Sequence, residues 1–299
     1  MIDLVVYHNA CPDGWAAAYI AKKRWPGAEL LPMNYGQDLS ELFLKSAGKH
    51  IFMVDYSLRT RELNDQLNSE AKRLWILDHH KTAKAVLEGA NYATFDMERS
   101  GAGLAWDYLF GIDSDALCRE ANARPWFVNY TEDRDLWRNK LPRSEEVNAY
   151  LISAERTTEK WDEIAKMSLD DAVHAGSAAR QYIEYYVRGV GVETQAGVYV
   201  FSGRNYHTGV VNMPYVGVSD ALHAVVKAGF DIGMAWFERG DGVVQFSLRS
   251  EGDTDVSEIA KSQGGGGHKH AAGYQLPLTA ARAHIDWILG RTNHVTRCC

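Results

Sequence analysis

RLWILDHHKTA, residues 73–83, sets four apolar residues, Leu74, Trp75, Ile76 and Leu77, directly before Asp78, His79 and His80. A short apolar run reads as a buried strand. A carboxylate and two imidazoles at its end are what a sheet edge carries when it holds a ligand, because open parallel sheets bind ligands outside the carboxyl ends of their strands. Two further runs end the same way: LVVY (4–7) on His8, and IFMV (51–54) on Asp55. Asp13 follows the first strand at the start of a predicted helix, and Asp133 and Asp135 lie in TEDRDLW after another apolar stretch. One aspartate at a strand end is ordinarily a helix cap or a turn former. Three strand ends so furnished, one with three such groups in succession, point instead to a metal site, and mixed carboxylates and imidazoles suit manganese or magnesium better than a thiolate-seeking ion.

The surrounding chain supports that sheet. Apolar runs at 4–7, 29–33, 50–54, 74–77 and 92–95 alternate with helical stretches at 14–24, 39–47, 60–69 and 100–110. The alternation predicts an α/β unit with a mainly parallel sheet flanked by helices. Residues 125–187 read as mostly helical. GVGVETQAG (189–197), rich in glycine and polar residues, reads as a linker. Beyond it, strands at 198–202, 232–237, 243–248 and 274–278 and helices at 220–227, 255–262 and 280–289 predict a smaller α/β domain. Asp241-Gly242, inside ERGDG, marks a hairpin. The expected domains are therefore 1–188 and 198–299.

The 299 residues carry a net charge of −7, which argues against a surface that coats long duplex nucleic acid. A short anionic substrate remains compatible where metal ions supply the positive charge. The cysteines (Cys11, Cys118, Cys298 and Cys299) form no CxxC pair, so a reduced compartment, the cytoplasm, is expected. Cys298-Cys299 reads as a free tail. No stretch approaches 18 uninterrupted apolar residues, and the amino terminus shows no signal-peptide pattern, so no membrane segment is expected.

HNACPDGWAAA (8–18), VDYS (54–57), LDHH (77–80), ERSGAGLAWDYL (98–109) and NYTEDRDLW (129–137) resemble, in order, the motifs of the DHH phosphoesterase family. SLRS (247–250) and GGGGHKHAAG (264–273) resemble its DHH-associated domain of the first type. The resemblance implies a two-lobed phosphodiesterase similar to RecJ and the oligoribonucleases, with the active site in the cleft between lobes. It implies manganese or magnesium, one or two ions. Asp55 would bridge two metals, His8 would serve the first, and Asp13, His79 and Asp133 the second. Asp135 is the alternative to Asp133, which is preferred because it directly follows the apolar stretch. His80 would act on the scissile phosphate, and Asp78 would orient the imidazoles. Arg249, Gly265, Gly266, Gly267, His268 and Lys269 would bind substrate, the glycines letting backbone N–H groups cradle an anion.

The implied substrate is a short oligonucleotide or a small cyclic or linear dinucleotide, cut to mononucleotides. Two other readings stand beside it: a nucleotide bisphosphate phosphatase or pyrophosphatase, and an inactive nucleotide-binding module. Assembly into homodimers is open. One position departs from the family pattern. Cys11 stands where the first of two aspartates is expected, and cysteine is a poor ligand for a hard cation. The first metal is therefore expected to be weakly held, completed by water, or absent until substrate binds.

Overall fold

Tyr7 and the three residues before it in β1 (Leu4–His8) are buried with no alternation between faces. That is the signature of a parallel strand covered by helices on both sides. In the computed structural model, which describes residues 1–9, 11–111 and 124–291, β1 pairs in parallel with β2 (Glu29–Met33) and β3 (His50–Val54). β4 (Arg73–Asp78) and β5 (Ala93–Phe95) extend the sheet in the order β2-β1-β3-β4-β5. The chain leaves β1 in one direction and returns to β3 in the other, so a crevice opens at the β1/β3 carboxyl ends, the topological switch point of such a sheet.

Helix α1 (Pro12–Arg24) is buried from Asp13 to Ala21. Ala16, Ala17, Ala18 and Ala21 give it a narrow body that packs between β1 and α5 (Gly101–Phe110), which brings its own Ala102 and Ala105. A second cluster, including Leu31, Leu42, Met53, Tyr56, Leu67 and Ile76, covers the other face of the sheet beneath α2 (Ser40–Ser46) and α3 (Arg61–Glu70). A single-turn helix, α4 (Lys81–Val86), follows the two histidines. Then come α6 (Trp126–Asp135), α7 (Ser144–Ser153), α8 (Thr158–Lys166) and α9 (Leu169–Val192).

The chain divides into two compact units, Met1–Gln181 and Tyr182–Cys299. The expected linker is not one: residues up to 192 are helical, and β6 begins at Gln195 (Gln195–Phe201). Glycines weaken a helix, but Tyr186, Val187 and Val190 pack on a cluster of Val211, Met213, Leu222 and Ala235, and this burial carries the helix through Gly189 and Gly191. The second unit holds a six-stranded mixed sheet among the described residues. Its order is β10 (Gly266–His268), β11 (Ala271–Pro277), β9 (Val243–Ser250), β8 (Ile232–Glu238), β7 (Arg204–Asn212) and β6. β7 and β8 are parallel, and the other neighbours antiparallel. Helices α10 (Val218–Lys227), α11 (Val256–Ser262) and α12 (Leu278–Ile288) accompany it.

Neither β7 nor β10 was among the expected strands. Ser202 and Gly203, both at positive φ, turn β6 back into β7. Cys118, Cys298 and Cys299 lie outside the described residues. No helix of the described residues is long and apolar enough to cross a membrane.

Candidate metal centre

His8 ends β1, Asp55 follows β3, and Asp78 ends β4. Asp55 has φ 55°, a left-handed backbone that aspartate tolerates better than most residues, while its N–H donates to Leu77 O at 2.9 Å. This turn aims its carboxylate across the strand ends. Oδ1 accepts from His79 Nε2 at 3.0 Å, and Oδ2 lies 3.6 Å from His8 Nδ1.

The amino ends of two helices close on it. Cys11 caps α1, where its sulfur accepts from Gly14 N at 3.4 Å and its thiol donates to Asp55 Oδ2 at 3.2 Å. Asp13, in the first turn of α1, accepts at both oxygens from the first turn of α5: Gly101 N at 2.6 Å and Ala102 N at 2.9 Å. The orphan amides of a helix start and its dipole both favour that carboxylate. The approach requires glycine. A Cβ on Gly14 would stand 2.0 Å from His8 O, and one on Gly101 2.5 Å from Asp55 Cβ.

His79 is the focus. Its Nε2 faces Asp55 Oδ1 at 3.0 Å, Asp13 Oδ2 at 3.5 Å and Asp135 Oδ2 at 3.5 Å. One ring nitrogen carries at most one hydrogen, so three carboxylates here exceed what the imidazole can satisfy. Burial resists charging His79, but Asp135 and Asp55 overcome it and push the imidazole up to about 10. Burial, with Asp135 and Asp55 beside it, raises Asp13 well above the usual carboxylate range. Burial also raises Asp135, and Asp55 adds to the rise. Asp135 Oδ2 is buried without a hydrogen bond. A divalent cation is the group this charge distribution fits. Asp13, His79 and Asp135 offer ligand atoms within 4.8 Å of one another, and so do His8, Cys11 and Asp55.

Asp78 organises the turn that presents both imidazoles. Its Oδ1 accepts from His79 N at 2.7 Å, His80 N at 3.1 Å and His80 Nδ1 at 2.7 Å. Burial opposes charge on Asp78, yet His80 holds its carboxyl below the usual range. Against its own burial, His80 is raised by Asp78. Tyr35 and Tyr56 wall the same side. Their rings lie 5.4 and 6.3 Å from that of His8, with the Arg59 guanidinium 5.7 Å from the Tyr35 centroid. These three were not foreseen as site residues; Tyr56, next to Asp55 in VDYS, was the one cue available.

The structure brings His8, Asp13, Asp55 and His79 together, and Asp133 does not join them. Its carboxylate accepts from Lys140 N at 2.9 Å, Leu141 N at 3.2 Å and Ser144 Oγ at 2.6 Å, and so shapes the connection from α6 to α7. Asp135, the last residue of α6, takes the place expected for Asp133.

In the second unit, Arg249, Ala271 and His268 stand in register across β9, β11 and β10. Directly paired residues share a face of a sheet, so the small Ala271 separates the two basic residues. Arg249 donates to Ser219 Oγ at 2.7 Å, and Lys269 is exposed at the hairpin turn. Gly265 and Gly267 have a packing role of their own, because a Cβ would stand 2.1 Å from Gly273 O and 2.5 Å from Ala271 O respectively. Gly266 pairs with Gly273.

Residues 221–289 match the family model described as the DHHA1 domain. An uncharacterized protein of Acanthamoeba polyphaga mimivirus is 28% identical over 295 residues, covering 91% of this chain and 67% of the viral protein. RecJ of Thermus thermophilus, solved with Mn2+, matches with a TM-score of 0.53 at 16% identity, over 97% of this chain and 52% of RecJ. A structure of exonuclease RecJ bound to manganese matches with a TM-score of 0.53 at 14% identity, over 97% of this chain and 89% of that one. At such identities the likeness to the solved structures is one of fold.

Proposed function

We propose that the chain is a phosphoesterase of the DHH type, a manganese-dependent phosphodiesterase that cleaves short oligonucleotides or small dinucleotides to mononucleotides; the match of residues 221–289 to the DHHA1 domain supports this reading. The observation that carries this reading is the convergence of Asp13, Asp55 and Asp135 on His79 Nε2 at the ends of the parallel strands. Asp13, His79 and Asp135 would hold one divalent ion, with Asp55 between it and the half built from His8 and Cys11. Hard oxygen donors and imidazole suit manganese, the ion bound to the RecJ structures of like fold. When bound, such ions activate water and neutralise charge on the phosphoryl oxygens.

The protein's own groups do the positioning. Asp78 holds His80 Nδ1 and so fixes the orientation of the imidazole. Against burial, Asp78 favours the protonated form of His80, which suits it to act on a phosphoryl oxygen or the leaving oxygen. Arg249 and Lys269 supply positive charge, and His268 a hydrogen-bonding imidazole, for a substrate phosphate on a chain of net charge −7. A local basic patch on an acidic chain favours short substrates over long duplex.

The test is release of mononucleotides from a dinucleotide and a pentanucleotide with manganese, wild type beside Asp55→Asn. Release by the wild type alone is expected. A folded, manganese-loaded protein that releases nothing from either, yet dephosphorylates a nucleoside bisphosphate, would replace this reading with the phosphatase.

A further inference from the structure

Cys11 makes the two halves of the centre chemically unequal. We infer that the half formed by His8, Cys11 and Asp55 selects a borderline ion, zinc, while the half formed by Asp13, His79 and Asp135 takes a hard ion. The inference rests on the proposal that this site holds metal.

The first support is the donor set. Cysteine sulfur, which a metal would bind as thiolate by releasing the proton it now donates to Asp55 Oδ2, and imidazole nitrogen favour zinc over manganese or magnesium, whereas carboxylates with one imidazole favour the harder ions. The second support is spacing. Cys11 Sγ lies 3.2 Å from Asp55 Oδ2 and 3.6 Å from His8 Nδ1, and His8 Nδ1 lies 3.6 Å from Asp55 Oδ2. A tetrahedral zinc with ordinary Zn–S, Zn–N and Zn–O bonds spaces its ligand atoms about 3.3–3.6 Å apart. The triangle is already close to that size, and three protein ligands with a fourth position open is the arrangement of a zinc ion that works on a substrate. The third support is anchoring. The Cys11 sulfur is fixed by Gly14 N at the start of α1, and Asp55 by its own left-handed turn. Asp55 is buried, while the His8 side chain, 14% exposed, and Cys11 are partly open to solvent.

The test is anaerobic titration of metal-free protein with Co2+, a zinc substitute whose thiolate charge-transfer absorption reports a metal–sulfur bond directly. Wild type should develop that band. Stoichiometric Zn2+ should bleach it, while a large excess of Mn2+ should leave it. Cys11→Ser keeps a capping side chain at the helix start, so the fold is retained. It should still bind cobalt at the other half but show no band. Cys11→Asp should also lack the band and should favour Mn2+ over Zn2+ at this half by at least about tenfold more than wild type. Cobalt bound in wild type without a charge-transfer band would overturn the inference and leave the metal centre standing. No binding of cobalt or manganese at all would overturn both.

Discussion

Replacing Asp133 and Asp135 one at a time separates a loop-shaping carboxylate from a proposed metal ligand. Asp133 accepts three hydrogen bonds from the α6–α7 connection and is 5% exposed, so Asp133→Ala strands three donors. Hydrogen bonds to a carboxylate contribute about 1.5–3 kcal/mol each, and three in one loop are not additive, so the loss should be about 3–4 kcal/mol. For a unit of this size each kcal/mol moves the melting point by about 2–4 °C, which predicts a fall of roughly 6–15 °C. Asp135→Asn should behave oppositely. Burial and the neighbouring Asp55 disfavour its charge, so a neutral isostere should leave the metal-free melting point unchanged or raise it. The assay is thermal melting in chelator and again with Mn2+. A ligand at a hundred times its Kd adds about 2.7 kcal/mol of stability. Asp133→Ala should keep the wild-type metal increment from its lower baseline, and Asp135→Asn should lose it. If Asp133→Ala lost the increment while Asp135→Asn kept it, the reasoning from α6 would be refuted.

Gly101→Ala forces a methyl to within 2.5 Å of Asp55 Cβ and 2.9 Å of Asp13 Oδ2, and should cost about 1–3 kcal/mol together with Mn2+ affinity; Gly27→Ala, with nothing within 4 Å, is the control for both readouts. His80→Ala should keep its metal content and lose turnover by about 10²–10⁴-fold; unchanged turnover on a dinucleotide would remove His80 from the chemistry. In the second unit, burial holds His284 below its ordinary 6.5, beside Tyr274 Oη at 2.8 Å. The unfolded chain therefore binds more protons there, so stability is full above pH 6.5 and declines as pH falls through 6.5 toward the folded value. Urea melts between pH 7.5 and 5 should show that decline, and His284→Phe should flatten it.

The parallel sheet was legible because each strand is a short apolar run closed by a residue of another kind. His8, Asp55 and Asp78-His79-His80 mark the ends of β1, β3 and β4 in the sequence itself. The aspartate of α6 was not legible. Two residues apart on a helix, side chains point about 200° away from each other, so only one of Asp133 and Asp135 can face the strand ends. The apolar run Trp126–Tyr130 gave no reason to phase that helix toward Asp135. β7 escaped because Asn205, His207 and Gly209 are poor strand formers, and Val210-Val211 is its only adjacent apolar pair. Gly209 is required there, since a Cβ would meet Val225 Cγ1 at 2.4 Å. The glycines of GGGGHKHAAG read as an anion cradle; close backbone approach also demands Gly265 and Gly267, and Gly267 further has φ 140°.

The left-handed turn at Asp55 bears on how any inactive variant of this protein should be made. Alanine at that position would remove the carboxylate and also place an unsuited side chain at φ 55°, so a dead protein would confound lost chemistry with a bent strand end. Asparagine and glycine both tolerate that backbone, and between them they separate the two effects. A substitution scan of position 55 read by folding alone should rank glycine, asparagine and aspartate above every β-branched residue. The same scan read by turnover should retain aspartate only.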